Sequence, residues 1–213
     1  MRNAYFSAGE ACATAFQIRR CTNNEAAYFF DWLITPGESY GFIAKSNDGF
    51  LDPGNWEIVD DGLRLLDKYS GLKFQHEFKN VDDKPGNIDP NQVERHLPTA
   101  RSKFLYLKNK LIIALKTQPR SVVIRAERGI TSPEAAMERL VRLKRVFLPI
   151  NPDLKFIIAS AELSGGEVIT PNAMFLRMLP PPSHSGADAW KGNFDSWDRL
   201  FHLAETRLVF KAR

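Results

Sequence analysis

Cys12, in "SAGEACATAF", and His76, in "LKFQHEF", are the residue types of a thiol nucleophile and its proton acceptor. An imidazole paired with a thiol takes its proton and returns it to a leaving group, and a neighbouring acid, here Asp31 or Glu77, would orient the ring. Cys12 follows a short apolar run, "AYFS", and stands where "ACATAFQIRR" starts to read as a helix. A thiol in the first turn of a helix meets unpaired N–H groups and the positive end of the helix dipole, which favour the thiolate and lower its pKa. Arg125, in "SVVIRAE", offers a planar guanidinium for a bidentate grip on a carboxylate or phosphate, with Glu127 beside it. Gly9 and Trp32 complete the candidate substrate-binding set.

Each of these residues also has a structural reading. Cys12 lies among alanines and suits a small packed site. His76 in an aromatic strand suits a partly buried, satisfied imidazole. Arg125 could pair with Glu127 or Glu162, and Asp31 of "FFDWL" could bond a backbone group while Trp32 fills volume.

The elements that must position these groups alternate. "AYFSAG" reads as a strand and "ACATAFQIRR" as a helix burying Ala15, Phe16 and Ile18. "AAYFFDWLI" closes at Pro36 and Gly37. "WEIVDDGLRLLDKYSG" places Leu63, Leu66 and Tyr69 at helical spacing and stops at Gly71, so a helix is expected there. "LKFQHEF" reads as a strand, and the loop "KNVDDKPGNIDPNQ" as a mobile surface segment. A long helix is expected after Pro98, with Phe104, Leu107, Leu111 and Leu115 on its apolar stripe.

"SVVIRAE", "TSPEAAMERLVRLKRVF" and "LKFIIASAE" make a βαβ unit. Its helix carries Thr131 and Glu134 as a capping box and Met137, Leu140, Val141 and Phe147 on one face. Residues 165–195 read as an irregular, Pro- and Gly-rich connector, and "FDSWDRLFHLAETRLVFKAR" as a closing helix with a last edge strand. The order β, α, α, β, α, β, α, β, α predicts a single three-layer α/β/α domain over residues 1–213 with a mainly parallel central sheet. Ligands of such sheets bind beyond the carboxyl ends of the strands. There the sequence lines up Cys12, His76 and Glu77, Arg125 and Glu127, and Ser160 and Glu162.

Composition narrows the classes. A chain of 213 residues with 44% apolar side chains can bury a sizeable core. A formal charge of +4, spread along the chain and densest between Arg139 and Arg145, has no zinc-finger or RRM pattern beside it and argues against nucleic acid. The two cysteines, Cys12 and Cys21, would lie ~13 Å apart along one helix and read as free thiols. No apolar run is long enough to span a membrane, and no secretory or lipoprotein signal is legible, so the expected location is the cytoplasm. His76, His96, His184 and His202 show no metal-binding spacing, and neither standard phosphate-binding loop is present, so no metal or cofactor is expected. The glycine and acid before the first helix are only a hint of an anion site.

Taken together, Gly9, Cys12 and Ala15, then Phe30, Asp31 and Trp32, then Phe74, His76, Glu77 and Phe78 resemble a bacterial family of papain-like cysteine peptidases. Its members carry a GxxCxxA start, an FDW tripeptide and an F-x-H-[DE]-F motif in that order. The resemblance covers the first 80 residues or so and continues more loosely through "RSKFLYL", "SVVIRAE" and the W-x-G of Trp190 and Gly192. It implies a Cys12–His76 pair, with Asp82 and Asp195 as further candidates for a third member. It also implies an alternative architecture, papain-like α+β, in which the cysteine helix packs on an antiparallel sheet.

The primary expectation is a cysteine-dependent hydrolase or acyl transferase acting on a peptide, small-molecule or glycan substrate. A second arrangement, like that of small SGNH-type esterases, would draw on Asp198 and His202. Two alternatives belong to other classes. One is a sugar- or nucleotide-sugar-binding or glycan-processing protein held together by a structural cysteine, with Arg125, Glu127 and the Asp31 region on the ligand. The other is a non-catalytic interaction protein using "LPPPSHSGADAWKGNFDSW".

Overall fold

A computed structural model describes residues 3–78 and 88–210. Most of the loop expected to be mobile, with Asp82 in it, lies outside the described residues. A five-stranded sheet runs in the order β1 (Ala4–Ser7), β6 (Ser121–Ala126), β7 (Lys155–Ser160), β9 (Ala173–Arg177), β8 (Val168–Ile169). All neighbours are parallel except β8, which pairs antiparallel with β9. A second sheet, antiparallel throughout, orders β2 (Leu33–Ile34), β5 (Leu72–Phe74), β4 (Arg64–Asp67) and β3 (Trp56–Val59).

The parallel strands are β-branched or aromatic runs buried on both faces, as a sheet covered twice requires. On one face Phe6, Val123, Phe156, Ile158 and Phe175 pack with α2 (Pro90–Thr117), α3 (Pro133–Phe147) and the inner side of the antiparallel sheet. On the other, Tyr5, Val122, Ile124, Ile157 and Met174 pack with α1 (Cys12–Thr22) and α4 (Phe194–Arg207). The molecule is therefore α/β with a mainly parallel central sheet flanked by helices.

Five local expectations are corrected. "WEIVDDGLRLLDKYSG" is a hairpin, with Asp60, Asp61 and Gly62 all at positive φ (56°, 57° and 86°) between β3 and β4. Leu65 alternates inward there, whereas Leu63 is exposed, so the helical spacing was coincidental. The long helix starts at Pro90, capped by Asp89, and runs through Pro98 on a buried stripe of Val93, Leu97, Ala100 and Phe104. Helix α3 is capped by Ser132 and buries Ala136, Leu140, Leu143 and Phe147, leaving Met137 and Val141 exposed. The connector 165–195 is not irregular throughout: it supplies β8 and β9, and β9 is buried because the sheet continues on both of its sides. The last edge strand does not form among the described residues, although the Val209 N–H reaches the Pro171 carbonyl at 3.0 Å.

Candidate active site

Cys12 is the first residue of α1, delivered by a tight turn off β1. The Ala8 N–H still donates to the Ile124 carbonyl across the sheet (2.9 Å), and then Gly9 and Glu10 both turn to φ +80°. Only glycine fits the first position, since a Cβ there would lie 2.3 Å from Thr35 Cγ2. Glu10 holds the same left-handed conformation without that exemption. No side chain caps the helix N-terminus among the described residues; the Thr14 N–H turns back to the Ala11 carbonyl at 3.3 Å.

His76 comes from the other sheet. It follows β5 by two residues and is exposed at a bend. Its Nε2 lies 3.6 Å from Cys12 Sγ, within reach of a sulfur hydrogen bond. Trp32 stands edge-on to the imidazole, ring centroids 6.2 Å apart and planes at 88°. Over Trp32 lies the Arg19 guanidinium, 5.0 Å from the ring centre. The two sheets thus supply one member each of a thiol–imidazole pair, with an indole packed against the imidazole.

The acids expected to orient His76 are engaged elsewhere. Asp31, buried, accepts from Arg19 Nη2 and from the Tyr28 N–H, both at 2.9 Å. Through Arg19 it holds Trp32 in place, the backbone-bonding reading rather than the catalytic one. Both oxygens of Glu77 turn to α2, one to His96 Nε2 (3.1 Å) and one to Lys103 Nζ (2.5 Å).

Arg125 and Glu127, expected to bind substrate, are interior. Arg125 is fully buried. Its Nε donates to Glu127; Nη1 donates to the Ala8 carbonyl (3.0 Å) and the Thr35 hydroxyl; Nη2 donates to Glu10 (2.8 Å) and to the Thr35 carbonyl (2.8 Å). The five N–H bonds of a guanidinium are thereby used. Glu127 is closed by Arg139 on its other oxygen (2.6 Å). The sugar- or nucleotide-binding reading loses its anchor with them. What Arg125 grips is the turn carrying Cys12 and the strand segment following Trp32.

The remaining candidates separate too. Ser160 and Glu162 serve neighbouring backbone, Glu162 accepting from the Gly129 N–H at 3.0 Å. Asp198 sits at the far end of α1 from Cys12, taken by Arg20 and 3.4 Å from Cys21 Sγ, which removes the Asp198–His202 arrangement. Asp195 lines an open cavity of about 520 Å³ with Gly165, Gly166, Arg177 and Arg199. Among the described residues no cluster of three or more His, Cys, Asp or Glu side chains could hold a metal.

Burial pushes the Cys12 thiol up, against the lowering effects of its own backbone N–H and of Arg64. The depressed pKa expected from the helix N-terminus is thus not found: desolvation of the thiol outweighs the effects that lower it. Sequence reasoning missed Thr35 and Arg64, and read Glu10 only as a hint of an anion site. Thr35 carried no signal before Pro36, and Arg64 was hidden inside the misread hairpin. Compared with protein-family models, with curated proteins and with solved structures, the chain matches none.

Proposed function

We propose that the chain is a cysteine-dependent hydrolase or acyl transferase, the activity implied by its resemblance to papain-like cysteine peptidases. The observation that carries this reading is the 3.6 Å approach of Cys12 Sγ to His76 Nε2 at the exposed rim of the two sheets. His76, within reach of the thiol, acts first as general base. The Sγ–H proton passes to Nε2 as sulfur attacks the substrate carbonyl carbon and the carbonyl electron pair moves onto oxygen. The first N–H groups of α1 are the donors available to that oxyanion. The imidazolium gives its proton to the departing amine or alcohol as the C–N or C–O bond breaks, leaving a thioester. Water, or an acceptor nucleophile in a transferase, then loses a proton to His76 and releases the acyl group, restoring the thiol.

p-Nitrophenyl acetate tests this. The expected result is a burst of p-nitrophenolate, one acetyl group per chain mapped to Cys12, and a fall of ~10²-fold or more in burst rate for His76→Ala. His76 is exposed, so its removal leaves the core intact. Equal acetylation of Cys21, or a burst indifferent to His76, overturns the reading.

A further inference from the structure

The open cavity of about 520 Å³ that takes in Asp195 lies at the carboxyl edge of the parallel sheet. Its wall starts at Arg177, the last residue of β9, and at the segment 163–167 that leaves the neighbouring strand β7. Open parallel sheets hold their ligands at that edge. Strand β9 stands three strands from β1, ~14 Å across the sheet, so the cavity is separate from the turn that carries Cys12.

Most of its polar groups are already bound. Glu167 accepts from both terminal nitrogens of Arg199, and from the Arg177 backbone N–H at 2.9 Å. The Leu179 N–H donates to the Ser196 hydroxyl at 3.0 Å, which fastens the chain after β9 to the first turn of α4. Ser164 gives its N–H and its hydroxyl to the Thr131 carbonyl, at 2.9 and 2.6 Å. The next residue but one, Gly166, has φ +98°, and a Cβ on it would meet nothing within 4 Å, so the loop presents bare backbone to open space.

Two charges are left over. The Arg177 guanidinium and the Asp195 carboxylate are exposed and line the same cavity, and neither side chain makes a hydrogen bond or an ion pair among the described residues. Opposite charges that share one space without meeting suit a ligand that carries both. A carboxylate takes two parallel N–H bonds from a guanidinium, and an ammonium gives its N–H bonds to a carboxylate. A neutral sugar would leave both charges without a counterpart, and a phosphate on Arg177 would meet Asp195 as a like charge. Leu163 and the 56% exposed Leu179 add apolar wall for a side chain.

We propose that this cavity binds a small zwitterion with an apolar side chain, a free amino acid or a dipeptide, its carboxylate on Arg177 and its ammonium on Asp195. The site does not depend on the hydrolase reading. Calorimetric titration of the full chain tests it, with L-leucine and L-leucyl-L-leucine as the zwitterions. The controls are 4-methylpentanoate, which lacks the ammonium, 3-methylbutylamine, which lacks the carboxylate, and inorganic phosphate. One zwitterion should bind at a single site per chain, about 10-fold or more tighter than any control, and the tighter of the two identifies the source.

Arg177→Ala and Asp195→Asn should each weaken that binding by about 10-fold. Both side chains are exposed, so the variants keep the core. Asp195→Asn should also erase the advantage of the zwitterion over 4-methylpentanoate, which a general loss of structure would not do selectively. No saturable binding of either zwitterion, phosphate or 4-methylpentanoate binding as tightly, or affinity indifferent to either variant overturns the proposal.

Discussion

Asp31 carries a carboxyl that burial pushes up to about 6 from 3.8, despite the Tyr28 N–H and Arg19 that oppose the shift. Its proton is held more tightly folded than unfolded, so stability rises on acidification through the window from about pH 6 to about pH 4 and falls as pH rises through it. Asp31→Asn keeps an oxygen for both donors and should remove this slope, a change of up to about 3 kcal/mol in urea unfolding between about pH 4 and pH 7. Gly9→Ala sets a methyl 2.3 Å from Thr35 Cγ2 at φ +80° and should destabilise by about 2 kcal/mol or more, with loss of the acylation burst. At this scale the sequence was legible where residue type alone decides. A thiol and an imidazole can meet in few useful ways, and Cys12 and His76 do meet. It was not legible where neighbours compete for one group. Glu77 adjoins His76 in the chain, yet its carboxylate bonds His96 and Lys103 of α2.

The elements are joined at Arg125. From β6 its guanidinium reaches the turn between β1 and α1 through Ala8 and Glu10, and the end of β2 through Thr35. The thiol and the strand leading from Trp32 are thus clamped by one side chain. Arg125→Met leaves two buried or half-buried carboxylates and several carbonyls without their donor and should cost about 3–5 kcal/mol by denaturant unfolding. Arg125→Lys, with three donors in place of five, should recover only part of that. The βαβ unit of β6, α3 and β7 was legible because β-branched runs flanking an amphipathic, capped segment admit few other folds. The hairpin of β3 and β4 was not, because Leu63, Leu66 and Tyr69 satisfy a helical period while Asp60-Asp61-Gly62 supplies the turn. Strand β9 escaped for another reason. Buried on both faces from Ala173 to Leu176, it shows no alternation, and Pro171 just before it reads as loop.

Across the whole molecule the antiparallel sheet shares one core with the parallel one, Leu65, Leu72 and Phe74 packing in the same cluster as Phe6, Val123 and Phe156. Heat or denaturant should therefore melt both together. Far-UV circular dichroism and the fluorescence of the four tryptophans, of which Trp56 packs against one core cluster and Trp197 lies in the other, should give coincident transitions, and separate midpoints would show two independently folding units. No helix among the described residues is long and apolar enough to cross a membrane. The long connection from β1 to β6, by way of the antiparallel sheet and α2, brings together residues 64 positions apart, Cys12 and His76. Neither half of the pair exists as a reactive unit on its own sheet. On the activity proposed above, a chain in which Cys12 and His76 have not met carries an ordinary thiol and gains its reactivity only when the two come together. Acylation of Cys12 during refolding would then report the moment at which the β1–α1 turn and the segment after β5 meet.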